Sequence, residues 1–210
     1  MRLPALALAC ASLAGCDVPP GLGGSSQPVQ AMFLLGGDVV VNAPDGYCID
    51  QGASRSRSGF AVMAGCALVS DAQIMPFRDG LITVQVGEAG TAAVAGSEGA
   101  LRELLASAAG VGLLSSSGDP AAVTIDRLDS QSNLVSVHFT DATPPPFDGL
   151  EQAEWRAFFD LGDRLATVTV RGFARAPMSE AAGLALLQQA VAALQAANVP
   201  GAAIAVADAG

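Results

Sequence analysis

The strongest constraint on the fold is a series of short apolar or alternating segments that are separated by turn-forming residues. Residues 81–86 (LITVQV) and 165–170 (LATVTV) alternate between apolar and polar side chains, which is typical of half-buried strands. Two longer segments, 97–109 and 179–197, carry leucines at helical spacing behind a serine that can cap the helix. Strands joined by short turns favour an antiparallel sheet. The sequence therefore predicts an α+β fold with about six strands and two main helices packed on one face.

The individual elements follow from the same patterns. We expect residues 47–49 to continue the first strand beyond a turn at 43–46, and Gly110 to end the first helix. Residues 150–159 are a short amphipathic segment that contains the single tryptophan, Trp155. Residues 201–210 are a weak tail with room for one short strand. The predicted strands cover residues 39–41, 59–66, 81–86, 122–126, 134–139 and 164–173.

The N-terminus has the pattern of an export signal. Arg2 precedes an uncharged apolar run, residues 3–13, which is shorter than the roughly 20 residues that span a membrane. The run ends in Leu-Ala-Gly-Cys at residues 13–16, which resembles the lipobox of bacterial lipoprotein signal peptides. This resemblance implies cleavage before Cys16, acylation of the Cys16 thiol and a stable lipid anchor. An ordinary secretory peptide with an incidental cysteine, or a buried apolar N-terminus, is the alternative.

The leader defines the expected organisation of the chain. Residues 1–15 are the signal peptide, and residues 16–37 are Cys16 and a flexible tether rich in proline, glycine and serine. Residues 38–210 are one α+β domain. The expected partners are a membrane, reached through the lipid on Cys16, and a protein of the cell envelope. The domain would face the periplasm from either the inner or the outer membrane.

The charge balance excludes several functions. The formal net charge of −10 repels nucleic acid and anionic lipid surfaces, so no nucleic-acid partner is expected. All ten basic residues are arginine. The missing lysine excludes a P-loop, a Schiff-base enzyme and the Ser-x-x-Lys motif of penicillin-binding proteins. We expect no cofactor.

Two cysteines remain once Cys10 leaves with the leader and Cys16 carries lipid. In an exported domain, Cys48 and Cys66 are expected to form a disulfide, with a pair of buried thiols as the alternative. The loop between them carries Arg55 and Arg57 in an otherwise acidic protein. These arginines are either a contact for an anion or partner, or part of a solvated surface loop.

Candidates for catalysis are few. His138 is the only histidine, so a Ser-His-Asp triad or a zinc site would have to use it; its strand position favours a structural or surface role, and no metal site is expected. Paired carboxylates could serve a glycosidase, but an acidic chain carries many for solubility. The carboxylates considered are Asp126, Asp129, Asp141, Asp148, Glu151, Glu154, Asp160 and Asp163.

The order of strands and helices over residues 38–198 loosely resembles the PsbP/Mog1-like sheet-and-helix domains. The resemblance implies a fold only, because no functional motif is shared. The sequence thus favours a non-enzymatic, membrane-anchored binding or accessory protein of the cell envelope. It identifies no catalytic residues. The alternative is an extracytoplasmic hydrolase that uses paired carboxylates or His138.

Overall fold

Within residues 27–199, which this computed structural model describes, nine strands form two antiparallel sheets. Cys16 and residues 201–210 lie outside the described residues, so the predictions made for them stay predictions. The elements are β1 (Ala31–Leu34), β2 (Val39–Asn42), β3 (Tyr47–Ile49), β4 (Phe60–Gly65), α1 (Cys66–Val69), β5 (Gly80–Val86), α2 (Glu98–Ala106), α3 (Ala108–Leu114), β6 (Val123–Gln131), β7 (Leu134–Asp141), β8 (Leu150–Leu161), β9 (Arg164–Phe173) and α4 (Glu180–Ala197).

The main sheet has seven strands in the order β3-β4-β5-β9-β8-β7-β6, and β1 pairs with β2 in a small separate sheet. Hairpins with tight turns connect β6 to β7 and β8 to β9. Asn133 and Gly162 lie in these turns with φ angles of 53° and 64°, a left-handed conformation that asparagine and glycine adopt most readily. The α+β class is confirmed, with a sheet one strand wider than predicted.

Helix α4 covers one face of the main sheet. Ser179 caps it by accepting a hydrogen bond from the Ala182 N–H, as the sequence predicts. Its buried side chains, which include Leu186, Leu187 and Leu194, pack with Trp155 and the alternating apolar residues of β9 into the larger core. The small sheet joins the same core through Leu34, which is fully buried. The folded domain therefore begins before residue 38.

Helices α2 and α3 pack on the opposite face of the sheet, over β6 and β7, so the helices lie on both faces rather than on one. The predicted single helix over 97–109 is wrong, because the chain breaks at Ser107, whose side chain caps α3. Gly110 lies inside α3 and does not end a helix. A Cβ at Gly110 would lie 1.9 Å from the Leu104 carbonyl oxygen, so glycine permits the close approach of the two helices.

Two strand predictions also need correction. Residues 47–49 do not continue the first strand, because β3 belongs to the main sheet and β2 to the small one. The segment around Trp155 is β8, a twelve-residue central strand. Both faces of β8 carry buried residues, Glu154 on one and Trp155 on the other, so its polar residues do not mark a solvent side and the alternation is hard to read.

A disulfide joins Cys48 in β3 to Cys66 at the start of α1, with a Cα–Cα distance of 4.7 Å. The predicted pairing is thus present. Both residues are fully buried, and the bond fixes the edge of the sheet to the segment that leads to β5. None of the helices in residues 27–199 is long and apolar enough to cross a membrane.

Candidate functional site: a charged group on the open half of the sheet

The sheet face opposite α4 divides into an apolar half and a polar half. Helices α2 and α3 pack on the apolar half, which is formed mainly by β7 and β6. No helix within residues 27–199 packs on the polar half, which is formed by β5, β9 and β8. Two adjacent cross-strand rows show the division, one running Thr83–Thr169–Arg156–Val137 and the other Leu81–Arg171–Glu154–Phe139 from β5 to β7.

Glu154 lies in the second of these rows and contacts an arginine in each row. Its carboxylate contacts Nη2 of Arg156 and Nη2 of Arg171, and the Glu154 side chain is only 1% exposed. Nη1 of Arg171 also donates a hydrogen bond to the Glu151 carbonyl oxygen at 3.1 Å. The Arg156 guanidinium lies 5.1 Å from the centroid of the Phe139 ring. Neighbouring strands thus hold both cations in place.

The group of Glu154, Arg156 and Arg171 has a formal charge of +1 in a chain of net charge −10. Two buried atoms of this group have no hydrogen-bond partner among the described residues: the Nε–H of Arg156, and Oε2 of Glu154, which contacts Arg171 only as an ion pair. An unsatisfied buried donor costs about 1–3 kcal/mol. An anion whose oxygen accepted a hydrogen bond from this Nε–H would therefore bind favourably.

A cavity of ≈ 140 Å³ lies against these side chains. It has room for several waters or one small anion, since one water occupies roughly 30 Å³ of liquid. Threonines, arginines and Glu154 line the cavity together with two leucines and part of the loop after β7. The residues that line it include Thr83, Thr169, Arg156, Arg171, Ser116, Pro146 and Phe147.

Asp141 positions the wall of this cavity that follows α3. Its carboxylate accepts hydrogen bonds from the Ser116 N–H at 2.7 Å and the Thr143 N–H at 3.0 Å. Burial alone would raise the pKa of Asp141, but these hydrogen bonds outweigh it and lower the pKa. Asp141 does not itself line the cavity, so its role there is to hold Ser116.

Another carboxylate considered for catalysis also has a structural position. Asp160 accepts hydrogen bonds from the N–H groups of residues 93–95 at 2.8–2.9 Å. Burial raises the pKa of Asp160, but these three hydrogen bonds lower it by more, so its pKa lies below the usual value. A glycosidase general acid needs a raised pKa. Asp160 and Asp141 are therefore suited to holding backbone, not to donating a proton.

His138 lies beside a carboxylate and an indole. Its Nδ1 is 3.0 Å from Oδ2 of Asp126, its ring centroid is 5.1 Å from that of Trp155, and its side chain is 15% exposed. A β-bulge between Ile125 and Arg127 shifts the register of β6 beside His138. Nδ1 of His138 has no hydrogen-bond partner among the described residues, so the Asp126 carboxylate lies close to the ring without hydrogen-bonding to it. Neither Asp126 nor Trp155 is a nucleophile.

The arginines of the disulfide loop lie apart from the charged group. Arg55 and Arg57 are exposed, and Nη1 of Arg55 donates to the carbonyl oxygens of Gly52 and Ser54 at 2.7 and 2.8 Å. Neither arginine lines the cavity. Their role as a contact loop stays a prediction, and within residues 27–199 no cluster of three or more potential metal ligands occurs.

A larger groove of ≈ 670 Å³ lies between α4 and the loop before β5. Its charged lining residues, Asp45 and Arg78, are not buried, and Tyr47 at its base donates its hydroxyl hydrogen to the Arg78 carbonyl oxygen at 2.5 Å. Burial, followed by the nearby Asp79 carboxylate, raises the pKa of Tyr47. The groove is wide but offers no desolvated charge, so the smaller cavity is the stronger candidate.

Sequence reasoning named Glu154 only as one of many carboxylates and missed Arg156 and Arg171. One signal was available: Glu154 and Arg156 are two residues apart, and so lie on one face of any strand that contains both. The pairing of β8 with β9, which adds Arg171, is not visible in the local sequence.

Comparisons with known proteins give little beyond the fold. No protein-family model and no curated protein matches the chain. Among solved structures, a mutant of the protein Mog1 matches with a TM-score of 0.43 and 12% identity over 78% of this chain and 91% of that chain. The Saccharomyces cerevisiae Ran-binding protein Mog1p matches with a TM-score of 0.43 and 11% identity over 80% and 93%. Both matches are Mog1 proteins, consistent with the loose resemblance of the element order to the PsbP/Mog1-like domains. At this similarity no site or partner is carried over.

Proposed function

We propose that this chain is a lipid-anchored protein of the bacterial cell envelope whose domain binds a small anionic ligand without chemically changing it. The observation that carries the binding proposal is the buried Glu154 between Arg156 and Arg171, with excess positive charge and an unsatisfied Arg156 N–H beside a cavity. The leader of residues 1–15, which directly precedes Cys16, supports the anchor. A carboxylate or a phosphate fits the planar donor geometry of arginine.

The anchor is tested by intact mass and detergent-phase partitioning of the protein from its native membranes, beside the Cys16→Ser variant. The expected result is a chain that starts at residue 16 with a lipid-sized mass increase, which the variant lacks. An uncut or soluble, unlipidated chain would overturn the anchor. The binding proposal does not depend on this result.

Anion binding is tested by calorimetric titration of the full chain carrying Cys16→Ser with inorganic phosphate and with acetate. Arg156→Gln is expected to weaken binding at least tenfold, because it removes the guanidinium beside the cavity. The matched control is Arg175→Gln, which changes the net charge equally at a side chain that is 61% exposed and does not line the cavity. Equal affinity in both variants would refute the site.

A hydrolase that uses His138 is the second candidate, favoured by the 3.0 Å contact of its ring with Asp126. Activity on a chromogenic ester that is lost in His138→Gln and kept in Arg156→Gln would support it. An ester turned over equally by wild type and His138→Gln would remove it.

A further inference from the structure

Arg156 lines two cavities, one with several polar residues and one that is otherwise apolar. On one side is the polar cavity of ≈ 140 Å³ described above. On the other is a cavity of ≈ 180 Å³ between the α2–α3 pair and the sheet, and Arg156 is its only charged lining residue. The remaining walls are aliphatic or aromatic and include Val94, Leu101, Leu105, Leu114, Phe158 and Leu165.

The end of α3 also borders both cavities. Leu113 and Leu114 line the apolar cavity, while Ser116 two residues later lines the polar one. The hydrogen bond from the Ser116 N–H to Asp141 fixes this end of α3. The polar and apolar cavities are thus neighbours on the same face of the sheet, with Arg156 in the lining of both.

The apolar cavity is bordered by leucines that the domain does not bury. Leu104 is 46% exposed and Leu113 is 70% exposed, and both line this cavity. Exposed large apolar side chains beside an apolar cavity favour a ligand with a hydrocarbon part.

We propose that the ligand is a single aliphatic chain that ends in an anionic group, such as a fatty acid or an alkyl phosphate. The proposal rests on the anion site of the proposed function and extends it. The anionic head lies in the polar cavity against Arg156 and Arg171, and the chain follows the apolar cavity under α2 and α3. A methylene takes up about as much room as a water, roughly 30 Å³, so about six methylenes fill the apolar cavity.

The net charge of −10 favours a head with a single charge over a polyanion, since the protein repels each further negative charge. Burying one methylene strengthens binding about fourfold. The affinity is therefore expected to rise about fourfold per methylene from acetate to octanoate and to level off for longer chains.

The test is calorimetric titration of the full chain carrying Cys16→Ser, so that its own lipid does not compete, with acetate, butanoate, hexanoate, octanoate and dodecanoate. Octanol and octyl phosphate test the head group. The expected result is tight binding of octanoate, at least tenfold weaker binding of octanol, and loss of the preference for octanoate over octanol in Arg156→Gln. Comparison of octanoate with octyl phosphate decides between a carboxylate and a phosphate head.

Leu113→Gln tests the apolar half at a position exposed enough to tolerate the change. It is expected to weaken the binding of octanoate about tenfold while leaving the binding of acetate unchanged. The matched control is Leu68→Gln, a leucine that is 45% exposed on α1 and lines none of these walls. Octanoate that binds no tighter than acetate would overturn the aliphatic ligand and leave the anion site standing, whereas no binding of either would overturn both.

Discussion

Replacing Glu154 with glutamine is expected to destabilise the domain strongly. The Glu154 side chain is 1% exposed and that of Arg171 is 7% exposed, so their charges are largely shielded from water. Removing one partner of a buried ion pair costs about 3–5 kcal/mol, because the other charge stays buried without compensation. Arg156 is 20% exposed, so water screens part of its charge and the loss should lie near the lower end. For a domain of this size, that corresponds to a drop in Tm of about 10 °C.

Urea denaturation followed by circular dichroism measures this loss as a change in the free energy of unfolding. Asp148→Asn is the control, because it removes one negative charge from an exposed side chain and should change stability by less than about 0.5 kcal/mol. A double variant, Glu154→Leu with Arg171→Leu, should be more stable than Glu154→Gln, since it leaves only Arg156, which is 20% exposed, without its carboxylate partner. If the free energy of unfolding of Glu154→Gln lies within about 1 kcal/mol of the wild-type value, the reasoning about a desolvated charge is wrong.

Three further predictions concern the framework around the site. Changing both Cys48 and Cys66 to serine should lower the free energy of unfolding by about 3 kcal/mol, by loss of the loop constraint; equal urea midpoints for oxidised and reduced wild type would contradict this. Asp160→Asn should destabilise the domain at pH 7, because folding lowers the pKa of the Asp160 carboxyl and its charged form therefore stabilises the fold. The difference from wild type should fade as the pH drops below about 3.9, the pKa of aspartate in an unfolded chain, since the carboxyl is then protonated. A difference in stability that does not change with pH would refute this. Gly110→Ala should cost at least about 2 kcal/mol, since the added Cβ meets the Leu104 carbonyl oxygen at 1.9 Å; a thermal melt unchanged from wild type would show that α2 and α3 can separate.

The sequence predicts best where one face of an element is apolar and the other is polar. Strand β9 and helix α4 have such patterns and were predicted nearly to their ends, as was the cap at Ser179. Strand β8 was not recognised, because Phe158 and Phe159 pack on opposite faces of the sheet and both are in contact with a core. The break at Ser107 was also missed, because Ala108 continues the apolar face of Leu101, Leu104 and Leu105 at helical spacing across it.

The candidate site could not be predicted because it depends on pairing between distant strands. Arg171 reaches Glu154 only through the register of β8 on β9, and that register shifts between Leu150 and Glu154. A one-residue shift reverses which face a side chain occupies. The local sequence does not determine such a shift, so the charge of Arg171 could not be placed beside Glu154 in advance.

The position of Arg156 follows from how the two halves of the sheet face are covered. Val137, its neighbour on β7, lies under α2 and α3, whereas Thr169, its neighbour on β9, lies on the half without a helix. A helix over the threonines would remove their hydroxyls from water without supplying partners, which is costly, so the polar half stays open. A purely polar ligand would leave the leucines at α2 and α3 in water, and a purely apolar one would leave the guanidinium unsatisfied. A chain with an anionic end satisfies both halves, and Arg156 is the residue where the two requirements meet.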